Sequence, residues 1–112
     1  MMRTLLIAAV LASLGAARAQ AQVSGFVDGN DLHKLCISNS HGAIIYILGV
    51  SDAHDFFVAR GVSARICPPE RFQRGQVADV ACKYLADNPQ DRHVSAASLV
   101  IFDLEGDFPC RR

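Results

Sequence analysis

Four cysteines in a short exported chain restrict the fold more than any other feature. Cys36, Cys67, Cys82 and Cys110 are separated by 31, 15 and 28 residues. No two stand as C-x-x-C, so a redox dithiol, a zinc knuckle and haem attachment lack their spacing. An even number of cysteines in a small secreted domain reads as two disulfides, and spacing alone leaves three pairings open.

The N-terminus directs the chain to an oxidising compartment. Arg3 precedes an uncharged apolar run, Thr4 to Ala17, and Ala17-Arg18-Ala19 is a small-x-small cleavage site. Residues 1–19 are therefore expected to be a removed signal peptide. The overlapping site Ala19-Gln20-Ala21 allows a cut at 21 instead. The run is too short to cross a bilayer, and no later segment is expected to come closer. Of 112 residues, 93 remain, too few for a two-domain enzyme or a barrel. Nine basic residues then face 11 acidic ones, scattered along the chain. That balance provides no footprint for nucleic acid and no basic amphipathic face for a membrane surface.

Periodicity predicts helices. Residues 20–27 form a polar, flexible lead-in, and 28–112 make up the folded domain. Asn30 is the expected N-cap of a first helix, with Asp31 in its first turn and Leu32, Leu35 and Cys36 on one face. Asp28 to Asp31 fails as a calcium loop, because Leu32 and His33 stand where an oxygen ligand and a glycine are needed. After the turn cluster Ser38 to Gly42, Ala43 to about Arg60 is apolar around most of its circumference. It reads as a helix buried between others, with Gly49 at a close approach; a strand at its β-branched start, Ile44 to Ile47, is the alternative. Cys67-Pro68-Pro69 is an extended linker. A third helix carries Val77, Val80, Ala81, Tyr84 and Leu85 and stops at Asn88-Pro89. A fourth begins near Ser95 with Ala97, Val100, Ile101, Leu104 and Phe108 as its stripe. The class expected is all-α, a small four- to five-helix disulfide-stabilised domain.

Chemistry-bearing groups are sparse. His33 and Cys36, at i and i+3, could ligate a metal, but a half-cystine in apolar surroundings is favoured. Asp52, His54 and Asp55 could transfer a proton, yet a structural role for them is favoured. Tyr46 and Tyr84 read as core residues. No nucleophile elbow, H-E-x-x-H pair or phosphate loop is present, so no catalytic, cofactor or metal residue is assigned. The loop Asn88-Pro89-Gln90-Asp91-Arg92-His93 stands out: amide, carboxylate, guanidinium and imidazole on a proline-stiffened turn, suited to entering a partner's cleft at low ordering entropy. Its bland reading is that Asp91 and Arg92 cap and pair around the next helix.

The strings D-G-N-D-L-H-K-L-C (28–36), Y-I-L-G-V-S-D-A (46–53), C-P-P-E (67–70), R-G-Q-V-A-D-V-A-C-K-Y-L-A-D-N-P-Q-D-R-H (74–93), A-A-S-L-V (96–100) and F-P-C (108–110) carry a resemblance. In order and spacing they resemble the Rap/Tai immunity proteins, periplasmic proteins that protect bacteria against type VI secretion amidase effectors. The resemblance implies a periplasmic, non-enzymatic binding protein that occludes a peptidoglycan amidase, with no cofactor and no membrane insertion. Asn88, Gln90, Asp91, Arg92 and His93 would be contact residues; a homodimer stays open.

Three positions depart from the family pattern: Ala43 replaces a common cysteine, Cys82 an aliphatic residue, and Gln73 a threonine cap. The resemblance implies a Cys67–Cys110 bridge, since both positions are family-like. With that pair joined, one bridge has moved to Cys36–Cys82; two free thiols at those positions are the alternative. A second functional class also fits short disulfide-linked helices: a small periplasmic acid-stress chaperone or lipid-binding module.

Overall fold

Asp28 opens the first helix through a reciprocal capping box. Its Oδ1 accepts from the Asp31 N–H at 2.9 Å, and Asp31 Oδ2 accepts from the Asp28 N–H at 3.2 Å. Helix α1 then runs Gly29–Ser38. The cap is therefore Asp28 and not the expected Asn30, which sits inside the first turn; the carboxylate two residues earlier is the one with a partner three positions on. The computed structural model describes residues 25–111. The expected signal peptide, ending at 19 or 21, lies outside the described residues.

A single residue joins α1 to α2 (Ser40–Ala59). The Asn39 N–H donates to Leu35 O at 2.8 Å, closing α1, and its Oδ1 accepts from the Gly42 N–H at 3.0 Å, opening α2. The cluster expected as a turn is thus a one-residue corner, and the β-branched run Ile44 to Ile47 is helical throughout. Tertiary packing overrides strand propensity there. The expectation that α2 is buried all round is corrected: Ala43, Ile47 and His54 are buried, whereas Ile45, Phe56 and Phe57 are about half exposed. Gly49 meets no atom within 4 Å where a Cβ would stand, so it marks no close approach. Contrary to expectation, α2 also has the length and apolar composition of a membrane-crossing helix. Arg60 closes it, and Gly61 turns the chain at φ 73°.

An extended segment leads through Cys67 to α3 (Arg74–Asp87). Gln76 Oε1 accepts from the Gln73 N–H at 2.7 Å, a partial box where a threonine cap is missing. A 3₁₀ turn, Pro89–Asp91, follows, and α4 spans Ala96–Asp107. Among the described residues there is no strand, only isolated bridges pairing Asp28 with Ser95 and Ile66 with Pro109.

All four helices meet around Leu32, Ile47, Leu85, Val100 and Leu104, each at most 1% exposed. Each such side chain contributes roughly 2 kcal/mol by leaving water. The buried face of α4 is Ala96, Leu99, Val100, Asp103 and Leu104. It is rotated from the expected stripe, leaving Ala97 and Ile101 at its edge. Two disulfides complete the frame. Cys36–Cys82 joins α1 to α3 with Cα atoms 5.8 Å apart, and Cys67–Cys110 joins the extended segment to the C-terminal tail at 4.9 Å.

Candidate functional site

The loop after α3 is assembled from helix ends. Asn88 closes α3: its N–H donates to Tyr84 O at 3.0 Å and its Nδ2 to the same carbonyl at 2.9 Å. Asp91 Oδ2 accepts from the Tyr84 hydroxyl at 3.0 Å. Arg92 reaches back along α3, with Nε donating to Leu85 O at 2.6 Å and a terminal nitrogen to Ala86 O at 3.2 Å. Its guanidinium therefore satisfies two carbonyls at the negative end of the helix dipole. The loop backbone also takes up the orphan donors of α1: Val94 O accepts from the Gly29 N–H and Arg92 O from the Asn30 N–H, both at 2.9 Å. Gly29 is required at that crossing, since a Cβ would stand 2.7 Å from Arg92 Cα.

Of the five loop residues singled out from the sequence, Asn88, Asp91 and Arg92 are thus occupied within the fold. Gln90 and His93 are exposed. Gln90 Nε2 donates to Asn88 Oδ1 at 3.3 Å, and His93 Nδ1 lies 3.0 Å from Gln90 O. The loop is a stiff, internally bonded corner that leaves the Gln90 and His93 side chains exposed.

The α2 trio does not converge. His54 is buried and its Nε2 donates to Ala64 O at 2.7 Å, with Glu105 3.8 Å away, tying α2 to the following loop and to α4. Asp52 and Asp55 are exposed on the helix surface. Cys36 is a half-cystine, so it does not act with His33. His33 Nδ1 is buried without a partner, and burial, then the Arg92 charge, hold its pKa below the ordinary value. Tyr46 is part-buried against the core, and burial raises its pKa.

One arrangement was not anticipated from the sequence. Between α3 and α4 lies a groove of about 270 Å³ lined by Lys83, Tyr84, Asp87, Asp103 and Asp107. Asp103 is 8% exposed, and its Oδ2 is buried with no hydrogen-bond partner. Burial, then the neighbouring Asp107 charge and a proton shared with the Asp107 carboxyl, push its pKa up to about 7. On the rim, Lys83 pairs with Asp87 one turn along α3. The Tyr84 ring stands 6.3 Å from that of Phe102, which is 66% exposed. Burial, then the bond to Asp91, raise the Tyr84 pKa. An acid three residues after Val100 and one before Leu104 is the signal that could have identified this site.

The sequence model of one protein family, described as Rap1a immunity proteins, matches residues 28–110. No curated protein and no solved structure matches the chain.

Proposed function

Because the chain belongs to the Rap1a immunity protein family, we propose that it protects its cell by binding and blocking a type VI effector that cleaves peptidoglycan amide bonds. Membership makes it an immunity protein against type VI effectors, one that acts on a protein partner, and members of the family act in the periplasm. The amidase as target is the finer reading, and the family match across almost the whole folded domain is what supports it. Two disulfides suit the same oxidising compartment.

Inhibition by occlusion requires a surface that keeps its shape, because ordering a flexible loop on binding costs affinity. The 88–93 corner meets that requirement, with Gln90 and His93 as contacts and Asn88, Asp91 and Arg92 holding the backbone that presents them. We read the chain as non-enzymatic and free of cofactors. In the test, the mature protein is mixed with each of a panel of type VI peptidoglycan amidases and release of peptidoglycan peptides is followed. Stoichiometric inhibition, weakened by joint Gln90→Ala and His93→Ala, is expected. Undiminished amidase activity at excess protein would overturn the reading.

One observation favours the second class. Ile45, Phe56, Phe57 and Val62 expose apolar surface on and just after α2, as a holdase or lipid binder would need. Suppression of client aggregation at acid pH, with no effect on the amidase, would support that reading instead.

A further inference from the structure

The α3–α4 groove brings several unfavourable features together. Asp103 and Asp107 are like charges at i and i+4, an arrangement that disfavours the helix. Asp103, Glu105 and Asp107 crowd the C-terminal turns of α4, where the helix dipole is already negative and the last turn carries no basic residue. Asp87 ends α3 on the same groove, and Lys83, the one cation lining it, is taken up by Asp87. Asp103 alone is almost wholly buried; no donor of another residue type reaches its Oδ2, and its one polar neighbour is the Asp107 carboxyl, itself an acid. A buried acceptor of this kind is costly, and such a group calls for an explanation.

The ligand class follows from the geometry. Among the described residues, no three Asp, Glu, His or Cys side chains are placed to hold a metal ion. Paired carboxylates beside two aromatic rings match a planar cation, which can be held in the carboxylate plane and stacked on a ring face. Phe102, 66% exposed and tilted at 60° to Tyr84, provides that ring from the adjoining hollow, which shares Tyr84, Asp103 and Asp107 with the groove.

We propose that the groove between α3 and α4 is a seat for one arginine side chain of the effector, its guanidinium held by Asp103 and Asp107 and flanked by Phe102. The assignment rests on the proposed binding of a protein effector and names the chemistry of one anchor in that contact. Arginine and aromatic side chains are the groups that most often dominate such interfaces. A guanidinium here would give Asp103 and Asp107 a cationic partner in place of each other and offset the charge at the end of α4. The groove lies against Tyr84, whose hydroxyl positions Asp91, so it is continuous with the loop corner.

The probe is the capped tripeptide acetyl-Gly-Arg-Gly-amide, titrated into isotopically labelled mature protein at pH 8. Expected are saturable shifts confined to Tyr84, Phe102, Asp103 and Asp107, and a fall in the Asp103 carboxyl pKa. Asp103→Asn should weaken binding by roughly tenfold or more, as should Asp107→Asn, which serves should the first variant misfold. Shifts scattered over the surface, or binding unchanged in both variants, would overturn the proposal. So would a tighter response to magnesium than to the peptide. Inhibition of the effector is measured in parallel. Wild-type-like inhibition by folded Asp103→Asn removes the groove but leaves the immunity role standing; no inhibition by wild type removes that role, and the peptide titration still judges the groove.

Discussion

Asp103 links protonation to stability. Its ordinary pKa is 3.8, and in the fold it keeps its proton to about 7. Between those values the native state binds more protons than the unfolded chain, so this residue's contribution to stability falls as pH rises from about 4 to about 7 and is level above. Discounted for solvent entering the groove, the loss is about 2 kcal/mol. Asp103→Asn keeps the shape without the charge. Urea unfolding should find it equal to wild type at pH 4 and more stable by about that amount at pH 8; parallel pH profiles for the two proteins would show that Asp103 ionises normally. Two glycines make a second contrast at this scale. An alanine at Gly29 would place its Cβ 2.7 Å from Arg92 Cα and Leu99 Cδ1, so Gly29→Ala should cost about 2–3 kcal/mol through strain at the α1–loop crossing. Gly49 lies mid-helix, exposed and in open space, and Gly49→Ala should stabilise by about 0.5–1 kcal/mol. Thermal unfolding of both variants checks the signs.

Among the elements, α3 depends on the loop that follows it. Arg92→Ala leaves Leu85 O and Ala86 O without their donor and should cost about 1–3 kcal/mol, the price of unmet carbonyls at a helix end. Gln90→Ala and His93→Ala should change stability by less than about 0.5 kcal/mol. Equal denaturation midpoints for all three would show that Arg92 does not hold α3. The composition of this loop was legible in the chain, but which side chains turn inward was not, because the carbonyls they meet belong to the preceding helix. The same boundary runs through the fold. Helix number and class follow from periodicity, and α3 reads almost to the residue. The faces of α2 and α4 do not, since apolar residues surround both: in α4, Ala96, Ala97, Leu99, Val100, Ile101, Phe102 and Leu104 admit more than one stripe. Choosing Ala97, Val100, Ile101 and Leu104 left Asp103 off the buried face, and the groove went unseen. The Asp28 cap was missed because Asn30 is also a good capping residue and only geometry decides between them.

For the whole molecule, the two disulfides close loops of 46 and 43 residues, and the chain-entropy model assigns each about 4 kcal/mol. Equal entropy does not imply equal consequence. Cys36 and Cys82 pack against the core and join α1 to α3, so removing that bridge loosens the helices that bury Leu32 and Leu85. Cys67 and Cys110 hold an extended segment to the tail, and that contact has further support: the Cys67 N–H donates to Phe108 O at 2.8 Å, and the Phe72 and Phe108 rings meet edge-on at 4.9 Å. Replacing Cys67 and Cys110 with Ser should therefore free residues 62–73 while the four helices still unfold together. Replacing Cys36 and Cys82 should remove a large share of a total of about 5–15 kcal/mol and leave the domain largely unfolded at 37 °C. Hydrogen exchange on both variants separates the outcomes: accelerated exchange confined to 62–73 in the first and spread through α1 and α3 in the second is expected. Non-reducing peptide mapping of wild type tests the premise, since alkylatable thiols at Cys36 and Cys82 would mean that packing alone holds α1 against α3.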